Sequence, residues 1–391
     1  MSAAAAETPL GLERVQQRVL VVGVVALGAC AAGGLANPAD FIRAYLIGYL
    51  YCLGIALGSL VILMLHYLSG GAWGLVLRRI LESATRTLPL LALLFLPLAI
   101  GVRDIYVVWA GPGALDDPLL RHQSAYLNVL FFYARALIYF GAWLGFAYVF
   151  NKWSRERDAR PDPNPRRFRL LAGPGLALYG LTVTFAAIDW AMSLEPHWYS
   201  TIYPAGFGVG QVLSAFAFGI AAAVCLRRRE PFARLVTPAN LNDLGNLMLA
   251  FVMLWAYMAF SQFLLIWSAN IREEVPWYLA RQHGAWAAVA IGLIALHFAL
   301  PFVLLLSRRV KRDPRLIGEV AAVILVMRLV DLLWLLVPGF HRRGFALRWL
   351  DLVAPIGFGG IWLSAFLGQL RARPLVPQND PAVEEALAHA H

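Results

Sequence analysis

Ten runs of apolar residues limit what this chain can become. They cover about 19–35, 42–67, 88–109, 125–150, 169–194, 204–226, 243–268, 284–307, 317–338 and 351–370. Each is close to the roughly 20 residues that a helix needs to cross the hydrocarbon of a bilayer. A backbone in lipid finds no water to bond, so runs of this length must satisfy themselves as helices. The expected fold is all-α and polytopic, with about ten transmembrane helices. Hydrophobic residues make up 60% of the 391 and charged residues 14%, so no stretch has the makeup of a soluble domain. The division expected is a terminus at 1–18, one transmembrane domain at 19–371 and a mobile, polar tail at 372–391. The run at 19–35 is read as a retained helix rather than a signal: Glu7 and Glu13 accompany Arg14 and Arg18 ahead of it, with no small-residue cleavage site.

The net charge of +10 invites a nucleic-acid reading, but its distribution argues against one. Twenty-three Lys and Arg residues lie at the N-terminus and after even-numbered runs, among them Arg78, Arg79, Arg86 and seven between Lys152 and Arg169; seven lie on the other side. This is the positive-inside pattern. It implies two cytoplasmic termini and an even number of helices. Asn151–Phe168, charged and proline-rich, reads as a solvated linker.

The linker divides two halves that read as a repeat, 42–194 and 204–338. In each, one helix ends in acid, tryptophan and histidine: Asp189-Trp190 then His197, and Asp331 and Trp334 then His341. Gly54-x-x-x-Gly58 and Gly141-x-x-x-Gly145 are spaced for close helix packing.

Chemistry is read from the ionisable groups within the apolar runs, because such groups are costly in lipid. Phe185–Trp198 reads FAAIDWAMSLEPHW and sets Asp189, Glu195 and His197 among tryptophans. Arg328 and Asp331 are three residues apart and share a helix face. They read equally as a neutralised structural pair or as a proton relay. Arg135 needs a carboxylate from another helix, and Asp331 and Asp189 are nearest to it in depth. His297 is central, and a carbonyl freed by Pro301 is its expected partner. Asp243 and Asp351 stand at helix starts and read as caps or as points of proton exchange. His66 is a further uptake candidate, and Tyr257, Ser261 and Gln262 could carry waters. Glu273, Glu274, Pro276, Trp277 and Tyr278 repeat the acid and aromatic theme, with the aromatics read as interfacial anchors. Cys30, Cys52 and Cys225 are isolated, with no spacing for an iron–sulfur cluster or a c-type haem, and only His297 is deep enough for a b-type haem. No metal site is expected.

Four segments carry a resemblance: YGLTVTFAAIDWAMSLEPHWYSTI (179–202), LAFVMLWAYMAFSQFLLIWSANIREEVPWYLAR (249–281), LVMRLVDLLWLLVP (325–338) and WLDLVAPIGFGGIWLSAFL (349–367). They resemble the shorter NrfD/polysulfide-reductase-type membrane subunit of bacterial alternative complex III, a quinol:cytochrome c oxidoreductase. The resemblance implies two four-helix bundles plus two peripheral helices in the bacterial inner membrane. It implies as partners a sister NrfD-type subunit, an iron–sulfur/molybdopterin-like subunit and multihaem c-type cytochromes. The haems and iron–sulfur clusters would sit on those partners. Within this chain it implies proton conduction, and a quinone pocket at Asp189, Trp190 and His197. Two other readings compete: a scaffold whose acids only fix helices, and a secondary transporter, which paired Gly/Pro breaks in both halves would favour. Such breaks are not seen in the sequence.

Overall fold

The computed structural model describes residues 12–162, 164, 166–340, 345, 347–380 and 383. Ten helices among them are long and apolar enough to cross a membrane. We label them α1 (Leu12–Ala36), α2 (Pro38–Ser69), α3 (Ala72–Ile100), α4 (Val129–Ala159), α5 (Arg166–Leu194), α6 (Ile202–Leu226), α7 (Pro238–Ala269), α8 (Ala285–Leu306), α9 (Pro314–Phe340) and α10 (Trp349–Arg371). Local chemistry sets several boundaries. Asn37, Asn128 and Thr237 cap α2, α4 and α7 by accepting backbone N–H bonds, and Pro38 and Pro238 open two of these helices. Gly70 and Gly71, both at positive φ, reverse the chain so that α3 begins three residues after α2 ends.

Helices α2–α5 pack as one bundle and α6–α9 as a second. The bundles meet where α6 lies on α2, and α1 crosses α10 at the periphery. The arrangement has the two four-helix units and two outer helices that the resemblance implied. Helix α2 is buried on nearly all sides, which explains its continuous hydrophobicity and lack of a polar face. Gly58 makes the central contact possible, since a Cβ there would lie 2.2 Å from the Gln211 carbonyl oxygen. Gly141 and Gly145, with the same spacing, face open space, with nothing among the described residues within 4 Å of where a Cβ would stand.

Three sequence expectations need correction. The third helix begins at Ala72 rather than near 88, because Arg78, Arg79 and Glu82 are buried and paired rather than in a loop. Helix α4 continues to Ala159, so Asn151, Ser154 and Arg157, assigned to a solvated linker, are buried. The tail to Asp380 is docked rather than mobile: Asp380 accepts from Arg78 and, at 2.6 Å, from Arg157. Burial raises the Asp380 carboxyl, but these two guanidinium groups outweigh it and hold it below the ordinary value. Arg79 also pairs with Asp158, and Ser154 donates to Glu82 at 2.7 Å. This ionic belt marks one end of the molecule, here called the basic end. Arg371 pairs with Glu13 and Gln16, which puts the starts and finishes of the described chain at that end.

Candidate functional site

The intramembrane charges form two separate sites, one per bundle. In the first, α4 and α5 bring Arg135 to Asp189. Arg135 Nε and Nη2 donate to the two Asp189 oxygens at 2.8 and 2.9 Å, and the Tyr139 hydroxyl adds a bond of 2.7 Å. Arg135 also donates to the Tyr126 carbonyl and lies against the Tyr126 and Phe131 rings. Asp189 is 1% exposed. Phe95, Tyr139, Phe140 and Trp143 enclose Trp190. Both oxygens of this carboxylate are bonded, and aromatics pack around its neighbour Trp190. Of the two partners open to Arg135 in the sequence, Asp189 is the one it takes.

Asp189 and Trp190 are buried, whereas His197 is exposed. His197 lies away from the pair, at the surface, bonded to Asp117 at 2.7 Å. That bond and the Leu119 N–H hold the Asp117 carboxyl below the usual range.

The second site lies between α6, α7, α8 and α9. Arg328 and Asp331 pair on one face of α9, and the Trp255 indole of α7 donates to Asp331 Oδ2 at 3.2 Å. Gly210 of α6 makes room for the arginine, because a Cβ there would lie 2.1 Å from Arg328 Cζ. The two charges stand in the wall of a cavity of about 660 Å³. The rest of the lining is largely apolar and aromatic, with Gln262 and Tyr278 among its few polar groups.

His297 packs edge-on against Trp255, with ring centroids 4.4 Å apart. It is fully buried, and neither ring nitrogen has a hydrogen-bond partner among the described residues. The expected bond to a carbonyl freed by Pro301 is not made. Instead, Leu293–Ala299 forms a π-helical segment, which absorbs the proline and carries His297 toward α7.

Toward the end opposite the basic one, Arg281 joins the tips of α5 and α9. It is wholly buried and donates to Glu195 at 2.6 Å and to the Trp334 and Leu335 carbonyls. It lies on Trp277, which in turn stacks on Trp198 at 4.5 Å. Trp277, read as an interfacial anchor, is therefore core. Sequence reasoning counted Arg281 only among the outer basic residues. The available signal was its spacing: Arg281 follows Trp277 by four residues, one turn of a short helix, Val275–Gln282.

The remaining candidates are more ordinary. Asp351 completes a capping box with Arg348 at the start of α10. Asp243 is not the cap of α7, a role Thr237 takes; it is exposed, six residues further on. His66 is buried beside Gly74 and Trp73 near the ionic belt. Tyr257 points outward from α7, 64% exposed, rather than bridging carboxylates. His341 lies outside the described residues, so the proposed repeat is matched here only by Asp189-Trp190 and by Asp331 with Trp334. Among the described residues no three His, Cys, Asp or Glu side chains converge as a metal site. No protein-family model matches the chain, and no curated protein matches it.

Proposed function

We propose that this chain is a membrane subunit of a respiratory quinol:cytochrome c oxidoreductase of the alternative complex III type, and that its second bundle conducts protons. In this reading it sits in the bacterial inner membrane with both termini in the cytoplasm. The sister NrfD-type subunit, the iron–sulfur/molybdopterin-like subunit and the multihaem cytochromes carry the redox chemistry.

The observation that carries the proton role is Asp331. It is a carboxylate at mid-span that borders a cavity, where water and protons have room. Arg328 neutralises its charge and Trp255 orients it. His297 lies behind Trp255 on the basic side, and Glu195 with Arg281 lies outward. A proton taken up on the Asp331 carboxylate leaves from the same group, so it returns to its starting state. Ionisable groups in this position are rarely idle.

The scaffold reading is favoured at one place, the buried Arg135–Asp189 pair, which two hydrogen bonds and the Tyr139 hydroxyl hold together. For the transporter reading, the interruptions present lie in α3, which breaks into short pieces after Thr85, and in the π-helical segment of α8. These helices are not counterparts in the two halves.

The test is Asp331→Asn in the assembled complex, with quinol:cytochrome c turnover and proton uptake measured together. We expect loss of uptake with normal assembly. Normal turnover and uptake at normal assembly would refute the proton role. If Asp331→Asn instead impairs assembly and adding Arg328→Gln restores it, the pair is a structural tie.

A further inference from the structure

The ionic belt at the basic end does not balance its own charge. Glu82 accepts from Arg78 and Arg79 at 3.2 and 2.7 Å, Asp158 accepts from Arg79, and Asp380 from Arg78 and Arg157. Three further guanidinium groups stand beside these pairs. Arg86, where the first piece of α3 ends, donates to the Gln369 carbonyl in the last turn of α10. Arg373 donates to the Asn151 carbonyl at 3.2 Å and lies 3.7 Å from Glu82, too far for a hydrogen bond. Arg155 is exposed on α4, one residue after Ser154. Arg79, Arg155 and Arg373 all lie within electrostatic reach of Arg86. Among the described residues none of Arg86, Arg155 and Arg373 is hydrogen-bonded to a carboxylate, and Arg86 Nε and Arg373 Nη1 are buried with no acceptor.

Six arginines against three acids leave this group with an excess of three positive charges. Like charges so close repel, and a half-buried cation without a counter-charge is costly. What fits is an anion with several acceptor oxygens, which planar guanidinium groups hold by paired hydrogen bonds. The surroundings indicate its source. Just beyond Arg86, Pro89, Leu93, Leu96 and Ile100 are exposed on α3, a membrane-spanning helix. The cluster thus stands at the head of an apolar, lipid-facing strip. A phosphate held there sets its acyl chains along the strip. Basic pockets at the ends of membrane helices receive anionic headgroups in this way. A zwitterionic headgroup would bring a further cation into the excess.

We propose that Arg86, Arg155 and Arg373 bind the phosphate of an anionic phospholipid in the leaflet at the basic end, with its chains along Leu93, Leu96 and Ile100. The headgroup is a phosphodiester without an amine, as in phosphatidylglycerol. Arg373 belongs to the docked tail that Asp380 anchors to Arg78 and Arg157. A lipid that neutralises the cluster removes the repulsion on Arg373, so lipid binding and tail docking favour one another, and by linkage equally. The inference rests on the belt alone: a failed Asp331→Asn turnover test would leave it standing.

The experiment is native mass spectrometry of the full chain in detergent, titrated with phosphatidylglycerol, with phosphatidylcholine and with the soluble headgroup glycerophosphoglycerol. Phosphatidylglycerol should be retained in preference to phosphatidylcholine. Arg86→Gln and Arg155→Gln should each lower that retention about fivefold, the effect of roughly 1 kcal/mol for a basic group at an anionic surface. The control Arg315→Gln, 83% exposed at the same end, should leave it unchanged. In nanodiscs, phosphatidylglycerol should slow tryptic cleavage after Arg371 relative to phosphatidylcholine, and Arg373→Gln should remove the difference. Should the Arg86 variant fail to fold, the wild-type preference and the Arg373→Gln cleavage decide. Equal retention of the two lipids would leave the excess charge to an acidic segment of a partner and overturn the proposal. So would an equal drop in the Arg315 control, or cleavage blind to the lipid. Saturation by glycerophosphoglycerol as strong as by the lipid would make this a site for a free anion and overturn the lipid assignment.

Discussion

Replacing Arg135 by methionine tests whether the first bundle holds a lock or a relay. Arg135 gives Asp189 two bonds, of 2.8 and 2.9 Å, and leaves Tyr139 as its other side-chain donor. Hydrogen bonds to a charged group are each worth about 1.5–3 kcal/mol. Removing one partner of a buried ion pair costs about 3–5 kcal/mol, because the other charge stays buried. In a membrane the unfolded reference also finds partners, so the lower end, about 3 kcal/mol, is expected for Arg135→Met. Asp189→Asn should cost less, about 1–3 kcal/mol, because Arg135 keeps the Tyr126 carbonyl and two aromatic rings. The double variant should recover much of the loss, with a coupling of about 2 kcal/mol or more. Denaturant unfolding in detergent, followed by tryptophan fluorescence from the cluster around Trp143 and Trp190, measures all three. Single effects that add to within about 0.5 kcal/mol would refute a lock. So would a double variant that is stable and assembled yet no longer turns over, since Asp189 would then be needed for itself.

Gly210→Ala should displace Arg328, since its Cβ would lie 2.1 Å from the guanidinium carbon, and a loss of about 1–3 kcal/mol in unfolding is expected from overpacking. Trp255→Phe removes the 3.2 Å bond to Asp331 while keeping the ring; a modest loss of about 0.5–1.5 kcal/mol in the same assay is expected. Docking of the tail should depend on acid. The Asp380 carboxyl is held low, so its contribution is complete above the ordinary value of 3.8 and is lost as pH falls through the lowered one. Asp380→Asn should mimic the acid state at neutral pH, and protease cleavage after Arg371 reports it; tail protection unchanged in the variant would contradict the docking.

That the chain is helical, that it has about ten runs able to span a bilayer, and roughly where they lie, could all be read before any folding. These follow from one local quantity, the length of each apolar run, and from the need of every backbone group in lipid to bond within its own segment. Arg328 and Asp331 were also legible as a pair, because a three-residue spacing on a helix is a distance. What lay across helices was not legible. Arg135 had two carboxylates to choose from, and only the packing of α4 on α5 selected Asp189. Arg78, Arg79 and Glu82 read as a loop because charge suggests solvent, until Asp158, Ser154 and Asp380, distant in sequence, arrived to bury them. The cavity was hidden for the same reason: it opened between α6, α7, α8 and α9, among alanines with no distinguishing pattern. A cavity is a property of how helices are spaced, and spacing is set by contacts between segments that no single segment contains.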